Sequence, residues 1–556
     1  MTAIDSFSYN SSMLENANEY LFKDKNYIYI NDQNNGNYPN QQVTFELTSL
    51  ANNAFPTDFS QCHIDIPISM KLDVTGGAGL ADSIENVWAM SLKNGSYHLI
   101  NDMTISYNDN VVNNPCDMSN LDIHYRMLSM SSDDRQQFAD VVNFSLDEAS
   151  SIRYVNTAGG ASATGIGECN NVIAKGSSFT PREGWNGINA NVNSGRLRRM
   201  INTSFDATTT TLNATTGSIG RYVDNNNLTT VRKNGVYTRT ATAVYYNMMA
   251  TIPLAILHDF FQKLPIIRGA KLKLTLRLNT GVTFNLNTVT NTFTAVDATT
   301  LIPKSNVPFM ISPISVAADA SGTGLINVTG TLLKASINIG GFASSCQFVA
   351  CQYDMTPEAE EKYFSSPERT INFNDYTYYL VSNVASGATI NNLIASSLTR
   401  IRDIMIFPVL ASSNNSTLGY DAMKSPFSSC PATVCPFAKI TNFQIQISGR
   451  PVFATPINYG YEEFLHNFRS SQSINGGSLK SIGMSSGCID KTMWENGYGI
   501  YYVDLSHTES EDTDNQAKSI TFIGKNESKA VIDYHILIHY EKSIKVNVSN
   551  GAIVKD

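Results

Sequence analysis

At 556 residues with a formal net charge of −9, the chain is too long for one ordinary core. It is also too acidic for a dedicated nucleic-acid binder, which presents a basic face. Only 16% of the residues are charged, against about 25% in average soluble proteins, while 42% are apolar and 10% aromatic, which argues against disorder and for β-structure joined by long polar connections.

The opening "MTAIDSFSYNSS" has neither a basic start nor an apolar core, and no apolar run approaches the roughly 20 residues that cross a bilayer, so a soluble, cytosolically made protein is expected. A polar arm, residues 1–25, leads into a strand-turn-strand pattern. Tyr27 and Tyr29 alternate with Ile28 and Ile30, "NDQNNGN" breaks the chain, and Val43, Phe45 and Leu47 alternate with polar neighbours. "HIDIPISMKLDV" places Ile64, Ile66 and Ile68 on one face, and its Pro67 predicts an edge or bulged strand because proline cannot donate to a ladder. "CDMSNLDIHYRMLSM" predicts a helix starting on Asp117 with Leu121, Tyr125 and Leu128 on one face.

Between about 156 and 235 the text becomes Thr/Asn/Gly-rich and reads as surface excursions from a sandwich. Strand-like text resumes at "GVYTRTATAVYYNMMATIPL", followed by the short helical stretch "LAILHDFFQKLP" and by "IIRGAKLKLTLRLNTG". There Leu272, Leu274, Leu276 and Leu278 are predicted to face inward, and Lys271, Lys273, Thr275 and Arg277 outward. This strand is expected to close the first sandwich, with the helical stretch packed beneath its sheet.

From "NVPFMISPISV" the strand pattern restarts and runs through "SCQFVACQYDM", "YTYYLVSNV", "RIRDIMIFPVLAS" and "AVIDYHILIHYEKSIKVNV". Two short helices interrupt it, "TPEAEEKYF" with Thr356 as cap and Pro357 in its first turn, and "YEEFLHNF". Each half holds about eight strand candidates, the number a jelly roll needs. The predicted fold is all-β: two tandem eight-stranded jelly-roll sandwiches with a few short helices and long surface loops. The expected division is an arm over 1–25, a first jelly roll over 26–285, a connector over 286–305, and a second jelly roll with its tail over 306–556.

Chemical motifs are sparse. Asp504, Ser506 and His507 lie together in "VDLSH", but on a strand Ser506 and His507 point to opposite faces, and a triad converges from distant positions. His535 and His539 share one side of an alternating strand, with Ile532, Tyr534, Ile536, Ile538 and Tyr540 on the other; a solvated or interface face is expected there rather than a metal site. Cys346/Cys351 and Cys430/Cys435 share a C-x4-C spacing without a nearby histidine, and the eight cysteines read as buried thiols. The carboxylate pairs Asp133/Asp134, Glu360/Glu361 and Glu462/Glu463 are adjacent in sequence, and nothing singles out two facing across a cleft. Arg196, Arg198 and Arg199 read as a solvated or ion-paired cluster, and the sequons at Asn213 and Asn327 as unmodified. No enzyme, catalytic residue, cofactor or metal is expected.

Seven segments, in order through both halves, resemble the double jelly-roll major capsid proteins of virophages and Polinton-like viruses, with the adenovirus and tectivirus coat proteins more distant. They are "INDQNNGNYPNQQVTFELTSL" with "IDIPI", "IPLAILHDFFQKLPIIRGAKLKLTLRLN", "YDMTPEAEEKYF", "RIRDIMIFPVLAS", "NYGYEEFLHNF", "GYGIYYVDLSH" and "YEKSIKVNVSNGAIV". His507 departs from the basic residue, often arginine, expected at its position. The resemblance implies a viral major capsid protein: a homotrimeric, pseudo-hexagonal capsomer that tiles an icosahedral shell of the virion. Its partners would be neighbouring capsomers, penton and minor or cement proteins, with or without an internal membrane, and no sequence-specific nucleic acid. Apolar residues in the polar ends, Phe7, Tyr9, Leu14, Ile553 and Val554, are the expected inter-subunit contacts. The competing readings are a β-sandwich that binds carbohydrate or attaches to a host, and a jelly-roll glycoside hydrolase.

Overall fold

The computed structural model describes residues 21–34, 38, 41–75, 88–129, 141–145, 154–155, 168–169, 230–232, 235–239, 243–279, 282–287, 292–295, 307–313, 325–332, 345–411, 438–470, 489–505, 516–528 and 530–554. The strand His63–Thr75 is the spine of the largest sheet. Along one side it pairs antiparallel with Ala243–Pro253, from Asp73 opposite Ala243 to His63 opposite Pro253. Its other side is shared by two strands: Leu325–Leu332 pairs with Ile68 to Thr75, and Gln347–Met355 pairs with His63 to Asp65. Phe22–Asn31 then pairs with the far side of Gln347–Met355.

Pro67 therefore lies on an interior strand, not on the expected edge. It faces Met249 in one ladder and falls, with Ile66, in the gap between the two strands that share the other side. The break in pairing sits where a residue without an N–H does least harm.

A second sheet runs in the order Gln42–Glu46, Leu272–Leu278, Ile100–Tyr107, Asn110–Val111. The leucine strand is thus central in its sheet rather than closing it. Its alternation holds: Leu272, Leu274, Leu276 and Leu278 are buried, Lys271 and Lys273 exposed, and Thr275 and Arg277 half-buried. Each buried leucine contributes about 1.5–3 kcal/mol. Phe45 from this sheet meets Phe348 from the large one, ring centroids 5.9 Å apart, so the two sheets form a sandwich with an apolar interior.

Strands expected to open the second half hydrogen-bond instead to the first. Phe309–Pro313 pairs with Trp88–Leu92, Leu325–Leu332 with the spine strand, and Gln347–Met355 with both the spine and Phe22–Asn31. Pairing among later residues begins after the helix Pro357–Phe364, whose cap is the expected one, the Thr356 hydroxyl accepting from the Ala359 N–H at 3.4 Å.

Among the described residues beyond that helix there are eight strands in two sheets of four. One runs Glu368–Val384, Ile532–Asn547, Ile401–Leu410, Tyr501–Asp504, and the other Thr389–Leu398, Lys518–Asn526, Ile440–Ile447, Arg450–Pro451. Phe522 packs on Tyr534 at 5.6 Å and Phe443 on Tyr501 at 5.9 Å, joining the two sheets across their inner faces. The other expected helices are Ser119–Ser129 and Tyr461–Ser470. The first starts two residues later than predicted, because Met118 takes a left-handed φ of +67°, while the Asp117 carboxylate accepts from Arg277 at 2.7 Å and from Asn101 at 2.9 Å.

Candidate functional site

The densest polar chemistry among the described residues lies where the two sandwiches meet. From the first half the seam receives the helix Ser119–Ser129, residues 112–116, and two short helical turns, Leu254–Leu257 and Asp259–Lys263. From the second it receives Glu368–Val384 and its neighbours. Phe260 gives the seam an apolar centre, its ring 6.0 Å from Tyr107 on one side and 5.2 Å from Phe373 on the other. Tyr125 packs on Phe407 at 4.9 Å and donates to the Tyr498 carbonyl at 3.0 Å. The helical stretch expected beneath the leucine strand's sheet is therefore also the floor of the second sandwich.

Glu368–Val384 is a 17-residue strand at the edge of its sheet, a row of unpaired backbone groups that would invite pairing with another chain. The first half covers its middle. The Asp259 carboxylate accepts from the Asn374 N–H at 2.8 Å, and the Asn114 amide reaches the Tyr376 carbonyl at 3.5 Å.

On this strand Asp375, fully buried, collects five donors. Its Oδ1 accepts from the Tyr376 N–H at 2.9 Å and from His258 Nε2 at 3.3 Å. Its Oδ2 accepts from the Asn114 N–H at 2.8 Å, the Tyr540 hydroxyl at 3.3 Å and the Lys542 ammonium at 2.6 Å. His258 Nδ1 accepts from the Phe260 N–H at 3.1 Å, which places the ring proton on Nε2, facing Asp375. Burial pushes the Asp375 carboxyl up, but His258 and Lys542 outweigh it and hold it below its ordinary value. The carboxylate is thus shared by both halves.

A second cluster joins three elements. His539 directs Nδ1 to Asp403 at 2.5 Å and Nε2 to Asp122 at 2.8 Å. Both ring nitrogens face carboxylate oxygens, so both carry protons and the ring is an imidazolium. Arg126, one turn along the helix, meets Asp122 at 3.0 Å and donates to the carbonyls of Ile256 at 2.8 Å and Leu257 at 3.2 Å. Burial pushes the Asp122 carboxyl up, yet Arg126 and His539 bring it down to about 2. A cleft lined by Asp122, Arg126, His258, Asp259, Asp403 and His539 opens onto this cluster.

At a third point the turn after Ile532–Asn547 docks on the first half. The Arg268 N–H donates to the Val548 carbonyl at 2.9 Å, and the Gly551 carbonyl accepts from the Tyr107 hydroxyl at 2.7 Å and from the Asn108 amide. Gly269 and Gly551 both have φ of +73°, and a Cβ on Gly551 would stand 2.7 Å from the Ala270 backbone, so this approach requires glycine.

The face carrying His535 and His539 is covered rather than solvated: each histidine is 7% exposed, and His535 Nδ1 meets the Tyr378 hydroxyl at 2.8 Å. Cys346 and Cys351 are buried free thiols. Among the described residues no group of three or more His, Cys, Asp or Glu is placed to hold a metal ion, and no helix is long and apolar enough to cross a membrane. Glu462 and Glu463 lie in the first turn of their helix, where Glu463 accepts from the Gly460 N–H at 2.9 Å, and Glu360 pairs with Arg268 at 2.5 Å. Asp504 ends its strand, and Asn327 lies within Leu325–Leu332. Ile553 bridges to Val546 and is half-buried against this chain's own core, and the Val554 N–H donates to the Lys545 carbonyl at 2.8 Å. Phe7, Tyr9, Leu14, Asp133, Asp134, Arg196, Arg198, Arg199, Asn213, Cys430, Cys435, Ser506 and His507 lie outside the described residues.

Sequence reasoning did not find Asp122, His258, Asp375 or Asp403. Their one local signal is a charged residue inside apolar text, as in "RIRDIMIF" and "SNLDIHY".

Two β-sandwiches in one chain, clamped at a buried seam, make a double jelly-roll fold. No family model and no curated protein sequence matches the chain. The chain is similar to one in the 3.5 Å cryo-EM structure of the Sputnik virophage, over 98% of its own length and 91% of the other, at 12% identity with a TM-score of 0.51. The mavirus major capsid protein aligns over 99% of this chain and 94% of its own, at 9% identity and a TM-score of 0.43. The Faustovirus major capsid protein gives the same coverages, identity and score.

Proposed function

We propose that the chain is a viral major capsid protein, with a structural rather than enzymatic role, whose copies assemble with one another into the shell of a virion. The observation that supports this reading is the near-full-length correspondence of both sandwiches with a chain of the Sputnik virophage structure. The seam agrees with it, because a shell subunit needs its two sandwiches held in one orientation. In this reading three copies form a pseudo-hexagonal capsomer, and capsomers tile an icosahedral shell with penton and minor capsid proteins. The first sandwich extends to Met355, the helix Pro357–Phe364 is the joint, and the second begins at Glu368.

A permanent trimer buries about 2,000–5,000 Å² or more per interface. Phe7, Tyr9 and Leu14 of the arm are proposed to supply part of it, with a smaller share from the half-buried Ile553 and Val554. The test is the solution mass by light scattering, followed by negative-stain microscopy. The expected result is three times the chain's 60.9 kDa in particles of hexagonal outline. A monomer that forms no shells overturns the reading, and one whose thermal midpoint rises with added glycan would mark an attachment protein instead.

A further inference from the structure

We infer that His539 is a protonated latch between the two sandwiches, and that loss of its proton in alkali uncouples them into independently unfolding halves. The geometry carries this. Asp122 belongs to the helix of the first half, while Asp403 and His539 belong to adjacent strands of the second, 417 residues of sequence separating His539 from Asp122. Only a ring protonated on both nitrogens satisfies both carboxylates. Removal of one proton leaves a lone pair facing a carboxylate oxygen at hydrogen-bond distance, in a place nearly closed to water.

The charged groups around the latch come from every element packed on it. The helix contributes Asp122 and Arg126, the strand Ile401–Leu410 contributes Asp403, and the segment Leu254–Lys263 brings His258 and Asp259 to the same cleft. Tyr376 of Glu368–Val384 lies with its ring 6.0 Å from the imidazole, next to Asp375 with its Lys542 and Tyr540 partners. Within direct reach of the ring, two carboxylates oppose one guanidinium. Burial alone would strip the proton from His539, but Asp403 and Asp122 overcome it and raise the group from its ordinary 6.5 to about 10.

The sign follows from these values. Below pH 6.5 the histidine holds its proton whether folded or unfolded, and the latch contributes in full. Between 6.5 and about 10 only the folded chain keeps the proton, so the contribution falls as pH rises and is lost above about 10. On the acid side Asp122, brought from 3.8 to about 2, contributes in full above 3.8 and is lost as pH falls through about 2.

The test is scanning calorimetry of the full chain at pH 7 and at pH values on either side of 10. The double variant His539→Gln/Asp403→Asn, which removes the latch without stranding Asp403, serves as comparator. The wild type is expected to unfold in one transition at pH 7 that splits into two above about pH 10. The variant is expected to show two transitions already at pH 7, with a spacing that stays constant into alkali. A wild type that remains a single transition throughout overturns the inference. So does a variant that is single at pH 7 and splits where the wild type does, because other groups would then hold the seam. Should the variant not fold, the wild-type series decides alone: a split centred near pH 10 supports the latch, and its absence refutes it.

Discussion

Leu272–Leu278 and the first half of Ile532–Asn547 are both alternating strands, yet they are buried differently. The first has one dry face and one wet face: leucines inward, and on the other side exposed Lys273, opposite Glu46 in the neighbouring strand. In the second, Ile532, Tyr534, Ile536 and Ile538 are buried on one side, and His535, Leu537 and His539 on the other. Alternation in sequence reports that one face is apolar; it does not report whether another layer covers the opposite face. Where nothing covers it, polar residues meet water. Where the first half lies across it, the polar residue His539 becomes a buried ion pair between layers.

Substitutions in the two regions test that contrast, and the largest effect belongs to the one-sided strand. Leu274→Asp buries a carboxylate with no partner and is expected to cost more than about 5 kcal/mol, seen as loss of soluble, folded protein in circular dichroism and size exclusion. Next comes the two-sided region: Asp375→Asn removes the carboxylate shared by the two halves and leaves Lys542 without its counter-charge. A loss of about 3–5 kcal/mol in urea unfolding is expected, and a loss under 1 kcal/mol would show that the hub merely fills space. Gly551→Ala forces a side chain against Ala270 at a left-handed φ and is expected to cost about 1–3 kcal/mol, with faster proteolysis of the last turn as the readout. The smallest effect returns to the first strand, where Lys273→Ala on the wet face is expected to change stability by no more than about 0.5 kcal/mol in the same urea assay.

Much of the fold was legible because its signals are local. The leucine alternation, the Thr356 cap and the three helices depend on residues within one or two turns of each other, and the structure has them where the sequence places them, save for a two-residue shift at the start of Ser119–Ser129. Membership of a sheet depends on distant strands, which is why Leu325–Leu332 and Gln347–Met355 read as the start of a second sandwich although they complete the first. The seam was least visible. Asp122, Asp375 and Asp403 look like ordinary surface charges until the fold brings His539, His258 and Lys542 against them. The pair of histidines four apart was visible, but the carboxylate partners of His539 lie 136 and 417 residues away.

The gap at Ile66–Pro67 has a consequence for how this fold tolerates change. Because two separate strands flank the spine on that side, the ladder above the gap and the ladder below it are set independently. A slip of Leu325–Leu332 by two residues would keep its own alternation without dragging Gln347–Met355, or the Phe22–Asn31 strand that rides on it, out of alignment. The spine thus carries two modules on one rail, and lengthening the chain between them leaves the lower module where it is.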